Sequence, residues 1–175
     1  MKKLITNDYN LKEEDMTELV QRVKVFMRNS NNELIMSYSN HEYHCPGGHV
    51  EVGESLDDAV IREIREETGI VLESKTYEPF AEAIGYYKDW PEVGKNRKIE
   101  IYYYDLLTDQ EPNPDNMDLD EHEKASNFTL RKIKLDNLED ELIRNREEFD
   151  DPHGITKEML RLLPIYKDFI SHNNK

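Results

Sequence analysis

Three glutamates carry the chemistry that this sequence announces most clearly. Glu63, Glu66 and Glu67 stand in the run Arg62-Glu63-Ile64-Arg65-Glu66-Glu67. On a helix, residues three and four apart are neighbours, so Glu63 can converge with both of the others. On the same wheel Leu56, Ala59, Val60 and Ile64 form an apolar stripe. Glu63 and Glu67 fall on that stripe, and Glu66 lies at its edge. Burying an unpartnered carboxylate is expensive, and like charges held together repel and raise at least one pKa. A divalent cation resolves both problems. Ligands that are all oxygen favour Mg²⁺ or Mn²⁺ over zinc. A charged run of this kind is more often a solvated helix face, and the loop ahead of it shifts the balance toward a metal site. Gly47-Gly48 allows the backbone to approach a ligand closely, and Glu54 stands just before the helix cap.

The elements that must position these residues follow from local signals. Ser55 to Thr68 reads as a helix, with Ser55 as N-cap, Asp57 and Asp58 at the positive end of the dipole, and Gly69 as terminator. Leu19 to Met27 alternates as a strand, and Glu33 to Tyr38 returns as its hairpin partner across the turn Asn29-Ser30-Asn31-Asn32. Further strands are expected near Tyr77 to Tyr87, Arg97 to Leu107 and Phe128 to Leu135. Helical stretches close the chain at about Asn137 to Arg146 and Thr156 to Ile170, parted by Pro152-His153-Gly154. Few helices among many strands predict an α+β fold, a mixed sheet covered by helices. One domain over residues 1–175 is expected, with a C-terminal helical segment from about residue 137.

The segment Gly48 to Ile70 resembles the complete Nudix box: Gly, five residues, Glu54, seven residues, then Arg62-Glu63-Ile64-Arg65-Glu66-Glu67-Thr68-Gly69-Ile70. Every fixed position of that pattern is filled. The resemblance implies a Nudix-type α/β/α sandwich whose box is a loop-helix-loop. It implies hydrolysis of a nucleoside diphosphate linked to another moiety, or of a related phosphorylated metabolite, with Mg²⁺ or Mn²⁺ as cofactor. Glu63, Glu66 and Glu67 would match metal-binding carboxylates, and Gly47 a glycine that offers its carbonyl. Arg62 would orient a catalytic glutamate, so that Arg62, Glu63 and Glu66 are the catalytic candidates. Glu54, with Gly48 and Gly69, would support the box. A catalytically inactive ligand-binding or sensing domain on the same fold is the alternative, although such domains usually lose box carboxylates. An isomerase on this fold is disfavoured, because the context of Cys45 does not resemble theirs.

Outside the box the signals are weaker. Asp109 to Glu123 holds seven acids and no Lys or Arg. It reads either as a solvated loop or as the source of another ligand, Glu121 or Glu123, since many members of the family place an extra glutamate before a late strand. Lys95, Arg97 and Lys98 form a basic cluster in an acidic chain. Arg97, Lys98, Tyr86, Tyr87 and Trp90 are therefore candidates for substrate contact, against the plainer reading of hairpin packing. His41, His44 and His49 lack a completing zinc pattern.

The net charge of −15 argues against a nucleic-acid or anionic-membrane partner, which needs a basic face. It does not argue against a small phosphorylated substrate, for which a local cation suffices. At 175 residues with 37% hydrophobic content the chain can bury a full core. One cysteine, no apolar run of membrane length and no leader-like stretch in Met1 to Asn10 fit a cytoplasmic protein. Oligomeric state is left open, a homodimer included.

Overall fold

The alternating segments assemble into one mixed sheet in the structure, a computed structural model that describes residues 1–73 and 75–173. Its strands are β1 (Lys2–Thr6), β2 (Glu18–Arg28), β3 (Glu33–Ser39), β4 (Glu42–His44), β5 (Ala81–Tyr87), β6 (Arg97–Leu107) and β7 (Thr129–Lys134). Their order is β1-β5-β6-β2-β3-β4, with β7 paired to β3. The helices are α1 (Leu56–Thr68), α2 (Glu121–Ala125), α3 (Leu135–Phe149) and α4 (Ile155–Asn173). No helix among the described residues is long and apolar enough to cross a membrane.

The sheet is a wall between two helical layers. Phe26, Met36, Ala83 and Tyr103 face Leu138, Leu142, Leu162 and Tyr166 of α3 and α4. Val23, Val25, Met27 and Tyr104 face Ala59, Val60 and Ile64 of α1. Alternation along β2 thus serves both layers, and its end from Val25 to Met27 is apolar on both faces. Burying Val60 and Ile64 contributes about 1.5–3 kcal/mol each, enough to hold α1 on the sheet despite its carboxylates.

Two findings differ from the local reading. Strands β1 and β4 join the sheet, although neither was expected. The hairpin between β2 and β3 is confined to Met27↔Ile35 and Arg28↔Leu34. The chief partner of β2 is β6, parallel, from Glu18↔Arg97 to Arg28↔Leu107. Beyond its short contact with β2, β3 pairs with β4, and β2 peels away. The loop after β4 fills the opening: Val25 N–H donates to Pro46 O at 2.9 Å, Val23 N–H to Gly48 O at 3.0 Å, and Val50 N–H to Gln21 O at 2.9 Å. That split in the sheet brings Gly47 and Gly48 beside β2.

Helix α1 begins and ends by the expected devices. Ser55 Oγ accepts from Asp58 N–H at 3.1 Å. Gly69 adopts φ 70°, and its N–H donates to Arg65 O at 2.8 Å. A side chain at Gly69 would also collide with the Asn113 carbonyl, because the acidic segment crosses the end of α1 there. Asn113 N–H donates to Thr68 O at 2.8 Å and Asp118 N–H to Glu66 O at 2.9 Å. The segment from 109 to 123 is therefore strapped to α1 by its backbone, an anchorage that its acidity concealed.

Candidate active site

Gly47 and Gly48 are glycines for reasons of space. Gly47 has φ 126°, and a Cβ there would strike the Val23 carbonyl of β2. A Cβ at Gly48 would sit 2.6 Å from Glu63 Oε1. The absence of both side chains lets the loop lie flat between β2 and the carboxylates of α1.

Arg62 is the hub on the other side of this loop. Its Nε and Nη2 donate to the two oxygens of Glu54 at 2.8 and 2.9 Å, a bidentate pair. Its Nη1 donates to Glu63 at 2.9 Å and Glu66 at 3.0 Å, and Nη2 also donates to the His49 carbonyl at 2.8 Å. The hydrogen bond to Glu54 is the largest of the effects that keep Arg62 firmly cationic, and the same bond lowers the pKa of Glu54. Glu54 in turn accepts from Glu51 N–H at 2.9 Å. Loop and helix are thus cross-braced through one guanidinium.

Glu63 and Glu67 are 8% and 5% exposed. Burial raises the pKa of Glu63 against the pull of Arg62. Burial also pushes Glu67 up to about 7, although Lys24, Ser37 and Gly47 each oppose it. Ser37 Oγ donates to Glu67 at 2.6 Å and Gly47 N–H donates at 3.2 Å. Lys24, on β2, donates its ammonium to the Gly47 carbonyl. Glu123 also lines the cleft and has its pKa raised by burial.

These donors fit a hard divalent cation in kind. They are carboxylate and carbonyl oxygens at one end of a cleft, and the elevated pKa of Glu63 and Glu67 marks a negative charge that the protein only partly offsets. In this conformation the oxygens are taken up by internal partners. Among the described residues no three His, Cys, Asp or Glu side chains close around a common point.

The cleft encloses about 1250 Å³. From the carboxylates it runs past Lys24 and Arg22 of β2 to the start of α4, where Lys157, Glu158 and Arg161 line it. Glu158 accepts from the buried Tyr103 hydroxyl, and burial raises its pKa. His44 lines the wall between, its pKa pushed down to about 3 by burial, so it is a neutral ring. Glu42 is 4% exposed and pairs with His153 at 2.7 Å, while its Oε1 has no hydrogen-bond partner among the described residues.

The residues singled out from sequence divide cleanly. Gly47, Gly48, Arg62, Glu63, Glu66, Glu67 and Glu123 line the cleft, with Glu54 and Gly69 behind them as supports. Glu121 does not line it. Glu123 differs from Glu121 in closing a capping box with Asp120, which fixes the start of α2. Tyr87 and Trp90 line the cleft, their rings 5.8 Å apart. Tyr86, one residue from Tyr87, points to the opposite face of β5 and donates to Glu13 at 2.6 Å. Lys98 is drawn to Glu13 at 2.8 Å and Glu100 at 2.9 Å. Arg97 pairs with Glu18 at 2.6 Å and lies 4.5 Å over the Trp90 ring. The structure therefore does not bring Tyr86, Arg97 or Lys98 into the cleft; their charges and hydroxyl are answered locally. Cys45 is buried, its thiol pushed up to about 12, which suits a packing role.

Lys24, Arg22, His44 and Glu158 were missed as cleft residues. A signal existed for the first two: Arg22 and Lys24 sit two apart on the side of β2 where Phe26 is core. Glu158 carries no such mark.

A family profile described as NUDIX domain matches residues 18–149. An uncharacterized Nudix hydrolase of Schizosaccharomyces pombe is 37% identical over 100 residues, covering 55% of this chain and 43% of the relative. A Bacillus subtilis protein provisionally named an 8-oxo-dGTP diphosphatase is 33% identical over 88 residues, covering 49% of this chain and 50% of its own length. The chain thus spans about half the length of the curated relatives it matches. Among solved structures, a Caenorhabditis elegans Ap4A hydrolase binary complex superposes with a TM-score of 0.54 at 18% identity, covering 87% of this chain and 98% of that one. A MutT protein from Methanosarcina mazei Go1 gives 0.54 at 16% identity, covering 90% and 96%. These last two likenesses establish the fold.

Proposed function

This chain belongs to the Nudix family, and on that premise we propose that it is a Mg²⁺- or Mn²⁺-dependent pyrophosphohydrolase. Its substrate class is a nucleoside diphosphate linked to another moiety, or a related phosphorylated metabolite. The observation that carries the reading is the pair of buried carboxylates, Glu63 and Glu67, facing a large cleft beside the Gly47 carbonyl. Their internal donors, Arg62, Ser37 and Gly47, offset the effect of that burial only in part.

The Gly47 carbonyl, Glu63, Glu66 and Glu67 would hold the cation, with Glu123 as the ligand from the acidic segment in preference to Glu121. When bound, the metal offsets the charge of the diphosphate and lowers the pKa of the attacking water. Arg62 aims the carboxylates of Glu63 and Glu66, and one of these two accepts the proton of the attacking water. Glu54 holds Arg62 in register with the loop. Tyr87 and Trp90 offer a stacking surface for a planar group, and Arg22, Lys157 and Arg161 supply positive charge along the rest of the cleft. The names of the B. subtilis and C. elegans proteins point to a nucleotide derivative as the substrate. All box carboxylates being present weighs against a silent binding domain.

The test is a panel of nucleoside diphosphate derivatives, dinucleoside polyphosphates and nucleoside triphosphates, each with Mg²⁺ and with Mn²⁺. Products are read as phosphate released after coupled phosphatase treatment. Turnover of at least one compound that stops with EDTA is expected. Undiminished turnover in excess EDTA would remove the metal from the mechanism. Binding of panel compounds without hydrolysis of any would favour the silent domain.

A further inference from the structure

Lys24 occupies a position that its strand does not explain. It lies between Arg22 and Phe26 on the side of β2 that faces α3 and α4, and across the ladder it is paired with Tyr103. Arg22 has a local partner, His49 Nε2, which accepts from Arg22 Nε at 3.2 Å. The one hydrogen bond of the Lys24 side chain among the described residues goes to the Gly47 carbonyl. That carbonyl belongs to the residue whose N–H already serves Glu67. The ammonium thus stands at the oxygen end of the candidate ligand set, and its field opposes the burial of Glu63, Glu67 and Glu123 alike.

An ammonium and a divalent cation drawn to one carbonyl oxygen repel each other. Their repulsion is strong at such close range, because a partly buried site screens it weakly. Yet without a cation of some kind the buried carboxylates would be held together against their mutual repulsion. Arg62 answers only the Glu63 and Glu66 side of the group, and Glu67 is held by neutral donors. Lys24 is the flexible charge on that side. Its long stem allows it to leave by rotation, since it already borders the cleft.

We propose that Lys24 is a built-in counter-cation of the metal site: its ammonium holds the Gly47 carbonyl in the metal-free protein, and the incoming divalent cation must displace it into the cleft. This rests on the metal-dependent reading above. It adds that the protein sets its own threshold for metal, trading affinity for a site that stays intact when empty.

The experiment measures metal binding directly. Mn²⁺ is titrated calorimetrically into the wild type, Lys24→Met and Lys24→Arg, and the melting temperature of each is taken with EDTA and with saturating Mn²⁺. Loss of the competing charge should tighten Mn²⁺ binding by Lys24→Met about tenfold or more. The same variant should melt lower than the wild type in EDTA and regain most of the difference with metal. Lys24→Arg should stay within about threefold of the wild type in affinity. Unchanged or weaker binding by Lys24→Met would overturn the inference while leaving the metal reading intact. Absence of any Mn²⁺ binding by the wild type would overturn both. A second readout needs no variant: acetylation of Lys24 in the wild type, followed by mass spectrometry, should rise severalfold when Mn²⁺ is added, and protection by metal would refute the displacement.

Discussion

The two ends of the cleft are built in opposite ways. At the α1 end, Gly47 to Glu67 supply almost everything, and Arg62 alone ties Glu54, Glu63, Glu66 and the loop backbone together. At the α4 end, Arg22, His44, Tyr87 and Glu158 come from four elements far apart in the chain. Here a buried oxygen of Glu42 stays unpartnered among the described residues, and His153, which covers its other oxygen, is largely exposed. The first end is cross-braced, which suits the chemistry proposed for it. The second is a mosaic whose members can change singly, which suits the recognition of a variable group. A cleft of this kind separates what is done from what it is done to.

If that division holds, substitutions at the two ends should fail in different parameters. The largest effect is expected for Glu67→Gln, which should lower kcat a hundredfold or more, on the order of the 2.7–4 kcal/mol lost with one electrostatic contact in other active sites. Its circular dichroism should match the wild type, because loss of a buried charge relieves desolvation. Undiminished turnover with saturating metal would remove Glu67 from the mechanism.

Arg62→Ala should come next, with kcat down about 10- to 100-fold, matching about 1.5–3 kcal/mol for hydrogen bonds to charged groups. KM should change much less, because Arg62 serves Glu54, Glu63 and Glu66. A variant defective in KM alone would place Arg62 on the substrate and blur the contrast between the ends.

The acidic segment allows a finer cut. Glu123→Gln should raise the metal concentration for half-maximal activity roughly tenfold, the scale of losing a supporting partner at a metal site. Glu121→Gln, two residues away and off the cleft wall, should leave it unchanged. Wild-type metal dependence in both variants would make the segment a spectator.

The smallest effect belongs to the far end. Trp90→Ala should raise KM about 2- to 12-fold, equivalent to about 0.5–1.5 kcal/mol of aromatic contact, with kcat kept. Steady-state kinetics on the best compound of the panel decide this, and a fall in kcat at constant KM would contradict the assignment.

The same contrast explains what could be read from the sequence. The box was legible because its carboxylates, caps and glycines lie within one short segment, where helical spacing alone puts Glu63, Glu66 and Glu67 on neighbouring turns. Strands β2 and β6 were legible from alternation, but their parallel pairing was not, since register between distant segments leaves no local trace. β4 is too short to show a period, and β1 is an exposed edge that alternation marks poorly. Tyr86 and Tyr87 were indistinguishable as letters, and only the pleat sends one into the cleft. Glu158 and Lys24 gain their meaning from what the fold sets opposite them.

The pairing of β2 with β6 also sets a timetable for the ribosome. Glu18 meets Arg97 across 79 residues of chain. At about 5–20 residues per second, β2 emerges roughly 4–16 s before its main partner. During that interval Val23, Val25, Phe26 and Met27, buried in the finished protein, must wait with their strand edges unsatisfied, apart from the short hairpin with β3 and the loop that follows β4. The charges of Arg22, Lys24 and Arg28 interrupt and bound that run, so the residues that later border the cleft also act as gatekeepers against premature association of nascent chains.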